Sequence, residues 1–374
     1  MRFTFDSREV KPGMGFVALK GENGDGHKFI PQALKAGAVR IIDGLEELQR
    51  AANEYRHTLK AKVIGITGSA GKTTTKELLK AFLSQLGKTY ATEGNFNNHI
   101  GLPLTILNCP NDADFLVVEM GTNHPGEIAA LCDIAEPDSG LITNVGTAHL
   151  EFFKTQDGIA EEKGVLGSKV KSFFVIGEDN VRLDMLKAMC RGEVVVAPTN
   201  LDWMRSKLLA VLPGEHNVAN VGIAFALAAR YGFRQEMLEN ALKDFALPGS
   251  RWRKVERDGV RFIDDTYNAN PSSMIAALDA FASIKAEGRR VAVLGDMGEL
   301  GEKSLEFHRE VFAHAKSLGL DRVIAVGAIS GLCDCDVAYD EVMALKAHWS
   351  SEIRIGDTVL LKASHSMHLG SLLE

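Results

Sequence analysis

The sequence predicts an α/β protein with a small opening domain followed by two larger α/β domains. Three observations predict it. From Lys62 onward, short apolar runs ending in glycine or polar residues alternate with helical stretches. The alternation is interrupted at Leu247-Pro248-Gly249 and then resumes. The 374 residues allow two or three domains at ~150 residues each. The expected boundaries are 1–60, 61–245 and 246–374.

In the opening part, the apolar runs Gly15–Leu19 and Ala38–Ile42 flank a glycine-rich polar loop, Gly21–His27. The segment Glu46–Lys60 reads as a helix and a connection. In the middle part, strands are expected at Val63–Thr67, Phe115–Val118, Gly140–Val145 and Phe173–Ile176. Continuous apolar runs of this kind suit a parallel sheet covered on both faces. The alanine-rich stretch Val218–Tyr231 reads as a buried helix. In the last third, strands are expected at Val260–Ile263, Val291–Leu294, Val323–Val326 and Thr358–Leu361, with helices after the first three.

Composition excludes several classes. Hydrophobic residues make up 45% and charged residues 24%, which argues against disorder. The net charge of −7 leaves no global basic surface for nucleic acid or anionic lipid. Five cysteines form no disulfide framework, and Cys333 and Cys335 lack a second pair to complete a zinc site. The N-terminus has no apolar signal core, and no run reaches the ~20 apolar residues of a membrane span. A cytoplasmic protein with no membrane or nucleic-acid partner is expected.

The strongest local signal is the strand Val63–Thr67 running into Gly68-Ser69-Ala70-Gly71-Lys72-Thr73-Thr74 and then a helix. Glycines let the backbone curl so that its N–H groups point at phosphate oxygens, and the helix N-terminus adds positive potential. Lys72 would neutralise the β- and γ-phosphates, and the Thr73 hydroxyl would ligate Mg²⁺. The longer G-x-x-x-x-G-K-[ST] pattern is not met, because Ile66 stands at its first glycine.

Ligands of open α/β sheets bind beyond the carboxyl ends of the strands. Glu119 follows Phe115–Val118, and His149 follows Gly140–Val145. An acid and a histidine there suit a metal–nucleotide site, with Glu119 a hard oxygen ligand for Mg²⁺. A solvated acid and a structural histidine fit the same positions. Lys163, in a helical stretch, reads by itself as a surface lysine. The Asn95–Pro103 segment gathers Asn97 and Asn98, whose amides suit either sugar and carbonyl recognition or a turn. Asp264-Asp265, followed by Tyr267, Asn268 and Asn270, stands either at a site or at a helix cap.

Taken in order, these blocks resemble the Mur ligase family. The matching pieces include Asp6-Ser7-Arg8, Asp25-Gly26-His27, Thr67–Thr74, Gly94–Pro103, Glu119-Met120-Gly121, Asn144–Glu151, Gly214–Asn220, Asp264–Pro271 and Leu294–Gly301. The Asn-rich and Tyr-Asn-Ala-Asn-Pro segments point to the member adding D-alanyl-D-alanine to UDP-N-acetylmuramoyl-tripeptide.

The resemblance implies a small α/β UDP-substrate domain, a central P-loop-type parallel-sheet ATPase domain and a C-terminal Rossmann-like domain. It implies ATP and Mg²⁺, and amide synthesis through an acyl phosphate at the end of cytoplasmic peptidoglycan-precursor synthesis. It assigns Lys72, Lys163, His149 and Glu119 to catalysis. Lys163 becomes a carbamylated metal ligand beside Thr73, Glu119 and His149. Nucleotide contacts would come from Gly68, Ser69, Ala70, Gly71, Lys72, Thr73, Thr74, His216, Asn217, Asn220, Arg251 and Asp265. Ser7, Arg8, Asn97, Asn98, Tyr267, Asn268 and Asn270 would face substrate. A monomer is expected.

The chain is shorter than a usual member, with the loss expected between Gly167 and Pro213 and in loops of the last domain. Ala363 and His365 replace the glycine and arginine of the family's Lys-Gly-Ser-Arg-Ser segment. The Asp-Asn-Pro-Arg motif of the diaminopimelate- or lysine-adding ligase is absent. The alternatives are another Mur-type amide ligase and a P-loop switch. A switch needs neither the Asn-rich block nor a second α/β domain. A nicotinamide dehydrogenase would need G-x-G-x-x-G, and Gly295, Gly298 and Gly301 give another spacing.

Overall fold

A computed structural model describes residues 1–21, 24–146 and 150–373. They fall into two compact units. The first holds residues 1–145, 160–199 and 220–243, and the second holds 146–159, 200–219 and 244–374.

The first unit opens with β1 (Phe3–Thr4), β2 (Gly15–Ala18), the hairpin β3 (Lys20–Gly21) and β4 (Gly24–Asp25), α1 (Ile30–Lys35), β5 (Arg40–Asp43) and α2 (Gly44–Thr58). A parallel sheet in the order β1-β2-β5 packs on Val10, Phe16, Ala18, Ala33 and Ala38. Pro31 starts α1, where its missing N–H and fixed φ do no harm. The inner face of α2 buries Leu48, Ala51 and Ala52.

Next come β6 (Lys62–Thr67), α3 (Lys72–Leu83), β7 (Thr89–Ala91), α4 (Gly101–Asn108), β8 (Phe115–Glu119), α5 (Glu127–Ala135) and β9 (Ser139–Ile142). They continue as α6 (Leu150–Phe153), α7 (Gln156–Lys169), β10 (Phe173–Gly177), α8 (Leu183–Met189), β11 (Glu193–Ala197), α9 (Arg205–Val211), α10 (Glu215–Ala229) and α11 (Leu238–Leu242). Helices α6 and α9 belong to the second unit.

The sheet order is β11-β10-β9-β6-β8-β7, parallel throughout. The expected middle strands all exist, although β9 stops at Ile142, three residues before the predicted end. Strands β7 and β11 extend the sheet on either side. Central strands are buried on both faces, as in Val63, Ile64, Leu116, Val117, Leu141 and Val175. Strand β6 lies between β8 and β9, so the strand order reverses at its carboxyl end. The phosphate loop emerges there.

Helix α10 is close-packed at Gly222, where an added Cβ would lie 2.1 Å from the Pro198 carbonyl oxygen. Backbone cannot yield cheaply, so Gly222→Ala is expected to cost about 1–3 kcal/mol or more. A lowered denaturation midpoint would register it; an unchanged midpoint would show that this contact relaxes freely.

The second unit adds β12 (Arg253–Arg257), β13 (Val260–Asp264), α12 (Pro271–Ala282), β14 (Arg290–Gly295), α13 (Ser304–Ser317), β15 (Arg322–Val326), β16 (Val337–Tyr339), α14 (Val342–Ala347), α15 (Trp349–Glu352) and β17 (Thr358–Lys362). The order is β12-β13-β17-β14-β15-β16, parallel except for β12 against β13. Met274, Phe281 and Phe312 pack on one face of this sheet, while Val293, Ile324 and Leu361 form the other core. After β15 the expected helix is replaced by a single 3-10 turn, Ser330–Leu332, and then β16. Gly327 bends the chain at φ +122°, and its N–H bonds to the Tyr339 carbonyl, feeding the segment into another strand.

Candidate active site

The phosphate loop is held open by its neighbours. Gly71 is the N-cap of α3, in the left-handed region at φ +78°, and has no side chain with which to cap the helix. The first-turn N–H groups of α3 point beyond the helix N-terminus. Gly68 has φ +146°, and a Cβ there would lie 1.9 Å from the Thr143 hydroxyl oxygen. Ser69 N–H donates to the Asn144 carbonyl at 3.1 Å, and Ala70 N–H donates to Asn144 Oδ1 at 3.0 Å. Thr143 Oγ1 donates to the Ala70 carbonyl at 2.5 Å. Asn144 and Thr143 were not singled out from the sequence as site residues, yet they fix the loop's curvature. Lys72 Nζ donates to the Gly68 carbonyl at 2.7 Å, which places its charge over the loop.

Glu119 ends β8 at 2% exposure. Its Oε2 accepts from Thr73 Oγ1 at 3.0 Å, and its Oε1 accepts from Asn97 Nδ2 at 2.9 Å. Both oxygens of this buried carboxylate are thus satisfied by neutral donors. Carboxylate and hydroxyl oxygens are the donors that Mg²⁺ prefers, and Mg²⁺ usually takes only one or two protein ligands. The pair therefore fits the ion, although no group of three or more His, Cys, Asp or Glu residues suited to a metal exists among the described residues.

Lys163, on α7, is 1% exposed. This corrects its reading as a surface lysine: the charged pair Glu161–Glu162 before it concealed an inward-facing turn of the helix. Its Nζ is buried with no hydrogen-bond partner among the described residues. Burial, and then the Lys72 charge, push the amine well below its ordinary value, against an opposing pull from Glu162 and Glu127. A buried, unpartnered amine that holds its proton less tightly than usual suits capture of CO₂ as a carbamate. The neighbouring Glu162 does separate work. Its carboxylate accepts from Gly126 N–H at 2.7 Å and Ile128 N–H at 2.8 Å, tying α7 to the start of α5. His149 lies outside the described residues.

Other predicted residues are placed as follows. Asn220 lies against the loop: a Cβ on Gly71 would be 2.7 Å from its Oδ1. Asn98 Oδ1 accepts from Ile100 N–H and Gly101 N–H, so it starts α4 while Asn97 reaches Glu119. Ser7 is buried and donates to Gln32 Oε1 at 3.1 Å. Arg8 grips both Asp6 oxygens, at 2.9 and 2.6 Å, and holds that carboxyl at about 2.

In the second unit, His216 and Asn217 open α10, and Asn217 Nδ2 donates to the Pro213 carbonyl at 2.8 Å. Asp265 is clamped by Lys362 Nζ at 2.6 Å and by Trp252 N–H at 3.2 Å. The Arg251 guanidinium lies 3.3 Å from the Tyr267 ring centre, a cation–π contact. Asn270 caps α12 in a capping box with Ser273, and Asn268 Oδ1 accepts from Ala269 N–H. Ala363 is fully buried, and a Cβ on Gly295 would lie 2.6 Å from its methyl. Only one of those two positions can carry a side chain. His365 is exposed, its ring 6.0 Å from that of Tyr267.

A parallel sheet with a phosphate loop at its reversal point, beside a buried hydroxyl–carboxylate pair, defines a P-loop nucleotide-binding class. The chain belongs to the Mur ligase family. Three family models match in succession: the Mur ligase catalytic domain over residues 3–82, the middle domain over 66–200 and the glutamate ligase domain over 250–365.

Curated relatives named UDP-N-acetylmuramoyl-tripeptide--D-alanyl-D-alanine ligase include one from Synechocystis, 36% identical over 98% of this chain and 90% of the relative. The Escherichia coli relative is 34% identical over 97% and 90%. A crystal structure of MurF from Acinetobacter baumannii aligns with TM-score 0.88 at 28% identity, covering 100% of this chain and 92% of that one. MurF ligase from Thermotoga maritima in complex with ADP aligns at 0.84 and 28%, covering 100% and 96%.

Proposed function

We propose that this chain is the ATP-dependent ligase that joins D-alanyl-D-alanine to UDP-N-acetylmuramoyl-tripeptide. The observation that carries this reading is the phosphate loop beside the Thr73–Glu119–Asn97 constellation and buried Lys163, in a chain that matches ligases of that name along nearly its whole length. The tripeptide's terminal carboxylate attacks the γ-phosphorus of ATP, the bond to the bridging oxygen breaks and ADP leaves. The dipeptide amine then attacks the acyl carbon and loses a proton; the carbon–oxygen bond to phosphate breaks and inorganic phosphate leaves.

Two anions meet in the first step. Lys72 and the N–H groups at the start of α3 hold the phosphate chain against that repulsion. Thr73 and Glu119 would hold Mg²⁺, which supplies further charge neutralisation when bound. Lys163 would carry the carbamate, and His149 stands with it as a proposed ligand. Gly68–Thr74 and Asn220 serve the nucleotide, as do His216, Asn217, Arg251 and Asp265. Ser7, Arg8, Asn98, Tyr267, Asn268 and Asn270 serve substrate, while Asn97 steadies Glu119.

The functional domains are 1–60, 61–245 and 246–374. The protein acts in the cytoplasm as a monomer; among the described residues, no helix is long and apolar enough to cross a membrane. The test supplies ATP, Mg²⁺, UDP-N-acetylmuramoyl-tripeptide and D-alanyl-D-alanine. The expected result is UDP-N-acetylmuramoyl-pentapeptide and one phosphate per amide formed. Absence of product, with no phosphate release stimulated by substrate, would remove this reading.

A further inference from the structure

Lys76 sits one turn beyond Lys72 on α3, yet it is 1% exposed. A buried ammonium carries a desolvation penalty of several kcal/mol unless its bonds repay it. Its Nζ donates to the Thr92 carbonyl at 2.6 Å and lies 2.9 Å from Glu77 Oε1. Thr92 is 2% exposed and directly follows β7. Its N–H donates to the Val117 carbonyl at 3.0 Å, and its Oγ1 accepts from Glu119 N–H at 3.0 Å. From Thr92 the chain runs through a turn to Asn97, whose carbonyl accepts from Gly121 N–H at 2.8 Å and whose Nδ2 reaches Glu119 Oε1. Both backbone and carboxylate of Glu119 are thus braced by the segment that begins at Thr92.

We infer that Lys76 is a positioning residue for the metal–nucleotide site, acting through Thr92 to hold Glu119 and the Asn97 turn where Thr73 can share the carboxylate. Lys76 donates to the Thr92 carbonyl and forms an ion pair with Glu77 rather than with Glu119, so it acts at second hand. One helix then supplies both levels of the site. Lys72 and Thr73 face the phosphates, and Lys76, on the next turn, faces inward to lock the opposing strand tip. A neutral side chain of similar length fills the space but leaves the Thr92 carbonyl without this donor. The inference rests on the reading of Thr73 and Glu119 as the Mg²⁺ pair.

The experiment titrates ADP calorimetrically into the full chain, with and without magnesium chloride. The parent, Lys76→Met, Lys76→Arg and Thr92→Val are compared, with circular dichroism to verify folding. The parent gains affinity for ADP when Mg²⁺ is present. Lys76→Met keeps its metal-free affinity and loses about tenfold or more of the Mg²⁺-dependent gain, the scale seen when supports of metal ligands are removed. Lys76→Arg restores most of that gain. Thr92→Val, which keeps the carbonyl but removes the acceptor for Glu119 N–H, repeats the Lys76→Met result and decides the matter if Lys76→Met does not fold. A full Mg²⁺-dependent gain in folded Lys76→Met, or in Thr92→Val, overturns the inference while leaving the Mg²⁺ pair intact. A parent with no Mg²⁺-dependent gain overturns the pair itself and the inference with it.

Discussion

Lys163→Ala is expected to lower turnover by about 10²- to 10³-fold, the scale for removing a group that organises charge at a reacting centre. Small carboxylates should restore part of the activity by standing in for the carbamate. Incubation of the parent with ¹³C-bicarbonate should give a carbamate carbonyl resonance that Lys163→Ala lacks. Full activity in the unrescued variant would refute the role. Folding stability should move the other way. The folded-state amine is depressed, first by burial and then by Lys72. The unfolded chain therefore binds more protons between the depressed value and 10.5. Stability contributed by this group rises with pH across that window, and the penalty is complete below it. Without bicarbonate, Lys163→Met should remove that penalty and unfold no more easily than the parent at neutral pH, while turnover collapses. A marked loss of stability would mean that Lys163 is held for structure.

Lys72→Ala is expected to reduce turnover by about 10³-fold or more, because the developing phosphoryl charge loses its fixed cation. The fold should survive. The side chain is only partly buried and its hydrogen bond to Gly68 lies within one short loop, while Thr143 and Asn144 hold the loop independently. Near-normal steady-state turnover would show that the loop does not serve phosphoryl transfer.

Much of the architecture is legible in the sequence because parallel strands buried on both faces leave continuous apolar runs. Val63–Thr67 and Phe115–Val118 could be read directly, and their carboxyl ends pointed to Lys72, Thr73 and Glu119. Three-residue strands leave no such trace. Thr89–Ala91 and Val337–Tyr339 are too short to show a period, and only pairing with a longer neighbour makes them strands. The charged strand Arg253–Arg257 hides for another reason: it is a sheet edge, where side chains face solvent.

Buried lysines were the least legible part of the site. In Glu161-Glu162-Lys163 and in Thr74-Thr75-Lys76-Glu77, local composition suggests a solvated helix face. Burial at both positions is imposed by packing that no local pattern encodes. Resemblance to a family raised Lys163, and nothing in the sequence raised Lys76. The Asn-rich block was legible as a constellation but not in its division of labour. Asn98 starts a helix and Asn97 binds Glu119, a split that depends on where the turn meets β8. Asn270 caps α12 through its Oδ1, a bond that the sequence alone does not separate from its proposed substrate role.

On the proposed reading, this protein activates a carboxylate by phosphorylating it. The most direct measurement uses UDP-N-acetylmuramoyl-tripeptide labelled with ¹⁸O in its terminal carboxylate, with ATP, Mg²⁺ and D-alanyl-D-alanine. Attack of that carboxylate on the γ-phosphorus places one labelled oxygen in the inorganic phosphate released as the amide forms. Labelled phosphate, ADP and pentapeptide are expected in equal amounts. Unlabelled phosphate, or label appearing in AMP, would contradict that reading.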